Sequence, residues 1–146
     1  MSFSTDIKNF NKRVEKAATK IFRGSALEIF SKVILRTPVG NPSKWKSKPP
    51  KGYAGGRLRG NWIASINSPS SAVTDKTDKS GRASMARAKT ATQTARLIDS
   101  IYLMNNLPYA KRVEDGWSQQ APEGMVKRTI AEFKRIVAKN AKRHKL

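Results

Sequence analysis

Apolar residues recur every three or four positions from Ile7 to Ile34, and no other feature constrains the fold as much. Ile7, Phe10, Val14, Ala17, Ala18, Ile21 and Phe22 share one face, continued by Leu27, Phe30, Val33 and Ile34. This period predicts one amphipathic helix over residues 6–35, about 45 Å long at 1.5 Å per residue. Ser4 or Thr5 is the expected N-cap, with Asp6 favourable in the first turn. Thr37-Pro38 stops the helix, because the residue before proline avoids the α region. Gly24-Ser25 is the expected place for a break or kink. The apolar face has to be covered, so the rest of the chain must supply a second layer.

That layer is short elements joined by loops. Residues 37–56 form a loop with four prolines, four glycines, Lys44, Lys46, Lys48 and Lys51, and no acidic residue. Trp45 and Tyr53 sit among the lysines. A loop so rich in Pro and Gly is expected not to pack by itself. Residues 57–67 read as a strand, with Leu58, Trp62, Ala64 and Ile66 on one face and Gly60 marking a bulge or a close backbone approach. Residues 68–81 read as a loop. Residues 82–98 favour helix, with Met85, Ala88, Ala91, Ala95 and Ile98 as a thin apolar stripe. Ile101–Met104 is a strand candidate. Asn106 and Pro108 suit the start of a helical turn ending near Gly116. The last helix begins near Pro122 and Glu123 and buries Val126, Ile130, Phe133 and Val137. The expected fold is α+β: a small antiparallel sheet packed against a long N-terminal helix and a C-terminal helix. The expected organisation is a single domain, 1–146, with an inserted loop at 37–56 and a basic helix end at 138–146.

Composition removes several functions. Among 146 residues there is no Cys and one His, His144, near the C-terminus. Thiolate metal sites, Cys nucleophiles and a Ser-His-Asp triad therefore drop out. No apolar run approaches the ~20 residues of a membrane span, and the first residues lack a secretory pattern. The expectation is a soluble chain made in a cytoplasm. Lys and Arg total 30 against 10 Asp and Glu, a formal net charge of +20. Such a surface repels itself unless something negative is near, which nucleic acid or an acidic protein supplies.

Residues 105–126 read Asn-Asn-Leu-Pro-Tyr-Ala-Lys-Arg-Val-Glu-Asp-Gly-Trp-Ser-Gln-Gln-Ala-Pro-Glu-Gly-Met-Val. This stretch resembles the small neck or tail-completion proteins at the head–tail junction of long-tailed phages. In that family a short strand leads into Asn-x-x-Pro-Tyr-Ala, and Glu-x-Gly-Trp-Ser-x-Gln-Ala-Pro-x-Gly-Met opens the last helix. Thr37-Pro38-Val39 and Gly56-Arg57-Leu58-Arg59 with Trp62 match further upstream. The family usually places the first directly before the second. Here 16 residues, 40–55, separate them, so the lysine-rich loop is an insertion whose role the resemblance does not carry. The resemblance implies a structural virion protein of the neck or upper tail, localised there after assembly in the host cytoplasm. It also implies a ring of identical copies meeting a tail terminator, a head-completion protein or other neck proteins. The alternative is a free-standing basic nucleic-acid-binding protein, which lacks a helix-turn-helix, zinc-finger or ribonucleoprotein signature.

Two readings of the aromatic residues stay open. Tyr109, Val113 and Trp117 pack onto the sheet and long helix, or Tyr109, Trp117, Ser118, Gln119 and Gln120 face a neighbouring subunit. Lys44, Lys46, Lys48 and Lys51 are candidate contacts to phosphate or to an acidic partner, including non-specific contact with genomic DNA. No catalytic residue, cofactor, metal or membrane is expected. Glu114 and Asp115 are adjacent and diverge on a helix. Asp75 and Asp78, beside Lys76 and Lys79, read as solvated charges. No spacing among these four supports Mg²⁺.

Overall fold

A computed structural model describes residues 2–145, so Met1 and Leu146, the two ends of the expected domain and the last residue of the expected basic end, lie outside it. Helix α1 runs from Phe3 to Arg36. Its N-cap is Ser2, whose hydroxyl accepts from the Thr5 amide at 3.3 Å, so Ser4 and Thr5 fall inside the helix and cap nothing. Gly24-Ser25 does not interrupt it. A Cβ on Gly24 would stand 2.6 Å from the Asn140 side-chain oxygen, so Gly24 serves close helix packing rather than a kink. The helix ends at Thr37, as the following proline requires.

The segment expected as a strand at 57–67 begins instead as a single helical turn, α2, Arg57–Gly60. Leu58 and Trp62 are both buried, and a spacing of four places them on one side of a helical turn. Strand β1 follows at Ile63–Ile66 and pairs antiparallel with β2, Ile101–Met104, with Ile63 opposite Met104 and Ile66 opposite Ile101. Gly60 marks the expected close approach, because a Cβ there would meet the Lys76 carbonyl at 2.6 Å.

Helix α3 spans Arg82–Thr94, shorter than the expected 82–98. Ala88 and Ala95 are buried, but Ala95 is already extended and Ile98 is exposed. Helix α4 is Ala110–Glu114; Asn106 does not cap it, and donates instead to the Ser70 and Ala72 carbonyls. The last helix comes in two pieces, α5 Val126–Ile130 and α6 Phe133–Arg143. Its buried side is Thr129, Ile136 and Asn140, while the expected core residues Ile130 and Phe133 are exposed. Polar contacts to α1 set this rotation. Glu132 sits at the junction of the two pieces, 2.8 Å from Arg36 and 3.6 Å from Lys32. Those cations, with Arg135, hold its carboxyl down at about 2. Arg36 also donates to Thr129, and Glu28 accepts from Lys139 and Asn140.

The fold is thus α+β, with α3 contacting both α1 and the two-stranded sheet, and α5 and α6 lying on α1. One core cluster joins Val33 and Ile34 of α1 to Leu58, Trp62, Ala88, Leu107, Ala121 and Met125. Among the described residues no helix is long and apolar enough to cross a membrane.

At the end of α1 the two upstream motifs meet. Arg59 donates to the Leu35, Thr37 and Lys79 carbonyls, and the Trp62 indole donates to the Thr37 hydroxyl at 2.7 Å. The Thr37 hydroxyl in turn donates to the Val33 carbonyl. Burial pushes the Arg59 guanidinium down, with Asp78 opposing. Arg59→Met would leave these carbonyls without their donor and is expected to cost about 3 kcal/mol. Trp62→Phe, which keeps an aromatic ring but loses the donor, should cost about 1–2 kcal/mol. Urea denaturation of both variants measures this; losses below about 0.5 kcal/mol, typical of neutral surface changes, would contradict the role given to this junction.

Candidate interaction site

The 37–56 loop is closed at its ends, where Gly40 and Gly55 meet backbone to backbone, while residues 43–54 between them are exposed. A Cβ on Gly55 would lie 2.6 Å from the Gly40 carbonyl, and one on Gly40 would overlap the Tyr53 hydroxyl. Within the loop Pro42–Lys44 forms a 3-10 turn capped by Asn41. Trp45 and Tyr53 then stack at 4.8 Å between ring centroids, tilted by 59°. Lys44, Lys46, Lys48 and Lys51 are all exposed.

The 105–126 segment divides into inward and outward residues. Asn105 donates to the Leu58 carbonyl at 2.8 Å, and Ala121 and Met125 are buried. The Glu114 carboxylate accepts from three successive amides, Met125 and Val126 on one oxygen and Lys127 on the other, at 2.8–2.9 Å. It therefore caps α5 from a distance, satisfying amides that have no partner within the helix. Gly116 and Gly124 adopt φ of 90° and 76°, and a Cβ on either would collide with the backbone opposite, the Pro122 or Glu114 carbonyl. The loop between them is thereby held at both ends, with residues 117–120 at its tip.

Trp117 does not pack onto the sheet and long helix. It is 75% exposed, with the Arg112 guanidinium 4.8 Å from its ring centroid. Gln119 and Gln120 are exposed; Ser118 is half-buried, its hydroxyl accepting from the Gln120 amide. Val113 is half-buried and packs against the core, as expected. Tyr109 is 39% exposed; burial pushes its phenol up, Arg57 opposes, and Tyr53 adds to the rise.

The tertiary structure brings the 37–56 loop and this segment to one surface. Trp45, Tyr53, Leu58, Tyr109, Val113 and Gln120 line a cavity of about 590 Å³. A second hollow, about 470 Å³, continues from Trp45 and Lys44 to Trp117 and Gln119. Two expected groups of contacts, separated by more than fifty residues in the chain, thus share one surface. Neither hollow has an acidic lining residue.

The carboxylates are used structurally. Asp78, expected as a solvated charge, is buried: it accepts from Ser80, from the Gly81 amide and from the Ser84 amide at the start of α3. Burial raises its carboxyl, and these hydrogen bonds outweigh that and lower it. The local signal was present, since an Asp a few residues ahead of a helix is a common cap. Asp75 is exposed and meets Arg57 at 3.3 Å; Asp115 meets Lys111 and Lys127. Among the described residues no three His, Asp or Glu side chains are grouped to hold a metal ion. Comparison with protein-family models, curated proteins and solved structures finds no match to this chain.

Glu114→Ala leaves three amides without an acceptor and is expected to cost about 2–3 kcal/mol, lowering the melting temperature by about 5–10 °C. Trp117→Ala, an exposed change, should shift stability by no more than about 0.5 kcal/mol. Circular dichroism melts of the two variants test this contrast between a residue that holds the loop and one displayed by it.

Proposed function

We propose that this protein is a structural component of the neck or upper tail of a tailed-phage virion. In this reading it completes the tail and helps join it to the head, as one copy in a ring, with no catalytic role. The carrying observation is the 105–126 segment. Its similarity to the neck and tail-completion pattern is joined to a physical division of labour: Glu114, Ala121 and Met125 build the turn, and Trp117, Gln119 and Gln120 are displayed at its tip. A large aromatic on a loop fixed at both ends is preorganised for recognition, since little ordering entropy remains to be lost on binding. The partners are neighbouring copies and the tail terminator, head-completion or other neck proteins. Assembly takes place in the host cytoplasm and the finished site is the virion neck. Like charges on identical copies repel, so isolated subunits stay apart until an oppositely charged partner joins them.

Electron microscopy of lysates tests the reading. Without this protein, filled heads and tails are expected to accumulate without forming normal particles, and complementation with Trp117→Ala should fail although the variant folds. Normal particles at normal titre in its absence would remove the structural role.

The net charge of +20 supports a second reading, a free-standing nucleic-acid-binding protein. If the inserted loop grips phosphates, changing Lys44, Lys46, Lys48 and Lys51 to Gln should flatten the slope of log K against log salt by up to about 3–4 units. An unchanged slope in a DNA-binding titration assigns those lysines to another partner.

A further inference from the structure

We propose that the groove between the inserted loop and α4 binds an acidic polypeptide segment that carries a large apolar side chain as its anchor. Two observations point to this occupant together. The first is the shape and chemistry of the groove. Its volume, about 590 Å³, lies in the range of ligand-sized clefts, and its floor and walls are Leu58, Val113 and the rings of Trp45, Tyr53 and Tyr109. Those three aromatic side chains are 37–40% exposed, so each keeps a large surface unpartnered. An apolar side chain entering there exchanges water for aromatic and aliphatic contact on several sides.

The second observation is the charge around the groove. Arg57 lines it and Lys44 lines the hollow that continues it. Lys46, Lys48 and Lys51 belong to the loop that forms one wall, all exposed. No acidic residue lines either hollow, and residues 37–56 contain none. Asp75 pairs with Arg57 at 3.3 Å and is itself fully exposed, so that pair is open to solvent. An apolar anchor with acidic flanks is the occupant that fits both features, with the anchor buried and the flanks meeting the cationic rim.

The geometry favours a peptide over a nucleic acid. A single strand binds by laying successive bases on open aromatic faces. Here Trp45 and Tyr53 are tilted by 59° against each other, and Trp117 has the Arg112 guanidinium over its ring. The concavity is lined mainly by uncharged residues and has a single charged one, Arg57, so it suits a side chain better than a run of phosphates.

This proposal names what the groove binds and does not need the virion reading, so its failure would leave the assembly experiment standing. The test is selection from a random peptide library on the purified full chain, with two groove variants as counter-selection. Trp45→Ala/Tyr109→Ala removes two walls. Ala54→Glu puts a long acidic side chain into the groove from an exposed position and deletes no packed side chain, so it opposes an acidic peptide by both bulk and charge and serves if the double variant melts early. The expected enriched peptides combine an excess of Asp and Glu with a large apolar residue. A synthetic peptide of that consensus should bind the wild type at least tenfold more tightly than either folded variant. Replacing its apolar residue by Ser should lose the same factor. Three results would overturn the proposal: no peptide that separates wild type from Ala54→Glu, enriched peptides without acidic excess, or equal binding of the Ser-substituted peptide. Oligothymidylate binding that Ala54→Glu weakens tenfold, with peptide binding unaffected, would assign the groove to single-stranded nucleic acid instead.

Discussion

The meeting of Arg59, Trp62 and Thr37 at the end of α1 is the interaction on which the rest of the structure depends. A helix that stops at a proline leaves carbonyls with no partner along its own axis. Arg59 supplies donors to Leu35 and Thr37, and the Trp62 indole reaches the Thr37 hydroxyl. These bonds tie α1 to α2, and α2 leads directly into β1. They also set the register between the long helix and the sheet, because Trp62 carries both the bond and a share of the core.

The same junction accommodates the long loop at 37–56. Thr37-Pro38-Val39 and Gly56-Arg57-Leu58-Arg59 are 16 residues apart in sequence yet adjacent in space. The intervening chain leaves and returns through Gly40 and Gly55, whose backbones touch. Loop closure between ends already held together adds little constraint to the body, and loop length itself costs only slowly growing entropy. The loop then contributes Trp45 and Tyr53 to a wall that Tyr109 and Val113 complete. Of its lysines, Lys44 lines the adjoining hollow, and Lys46, Lys48 and Lys51 are exposed on the same loop.

Acidic residues are scarce in a chain of net charge +20, and several of those present hold backbone. Asp78 caps α3, Glu114 caps α5, and Glu132 with Glu28 joins α6 to α1. Ionised carboxylates make stronger hydrogen bonds than neutral acceptors, so Asp78 and Glu114 each fix a helix start with one side chain, while Glu132 and Glu28 accept from side chains across the α1–α6 contact. Their use inside the fold leaves the outer surface predominantly cationic. It also makes the Trp117 loop a fixed feature, since Glu114 and two left-handed glycines hold its ends.

The amino-acid sequence by itself determined the long helix, its stop at Thr37-Pro38, the β2 strand and the α+β class, because a period sustained over many residues and a proline are local signals. It also marked Trp117, Ser118, Gln119, Gln120, Tyr109 and the four lysines as surface candidates, and left open whether Trp117 was buried. Only the tertiary structure decided that. Trp117 stays outside because Glu114, eleven residues from Met125, folds the chain back and turns the loop tip away from the core. The rotation of α6 was equally hidden: Ile130 and Phe133 look like core residues, but ion pairs from Arg36 and Lys32 to Glu132 turn Thr129, Ile136 and Asn140 inward. The four-residue spacing of Leu58 and Trp62 was readable as a helical turn, yet alternation made it resemble a strand until α1 was in place to bury both. Local periodicity specifies elements, while long-range polar contacts, which have no period, choose the faces that meet.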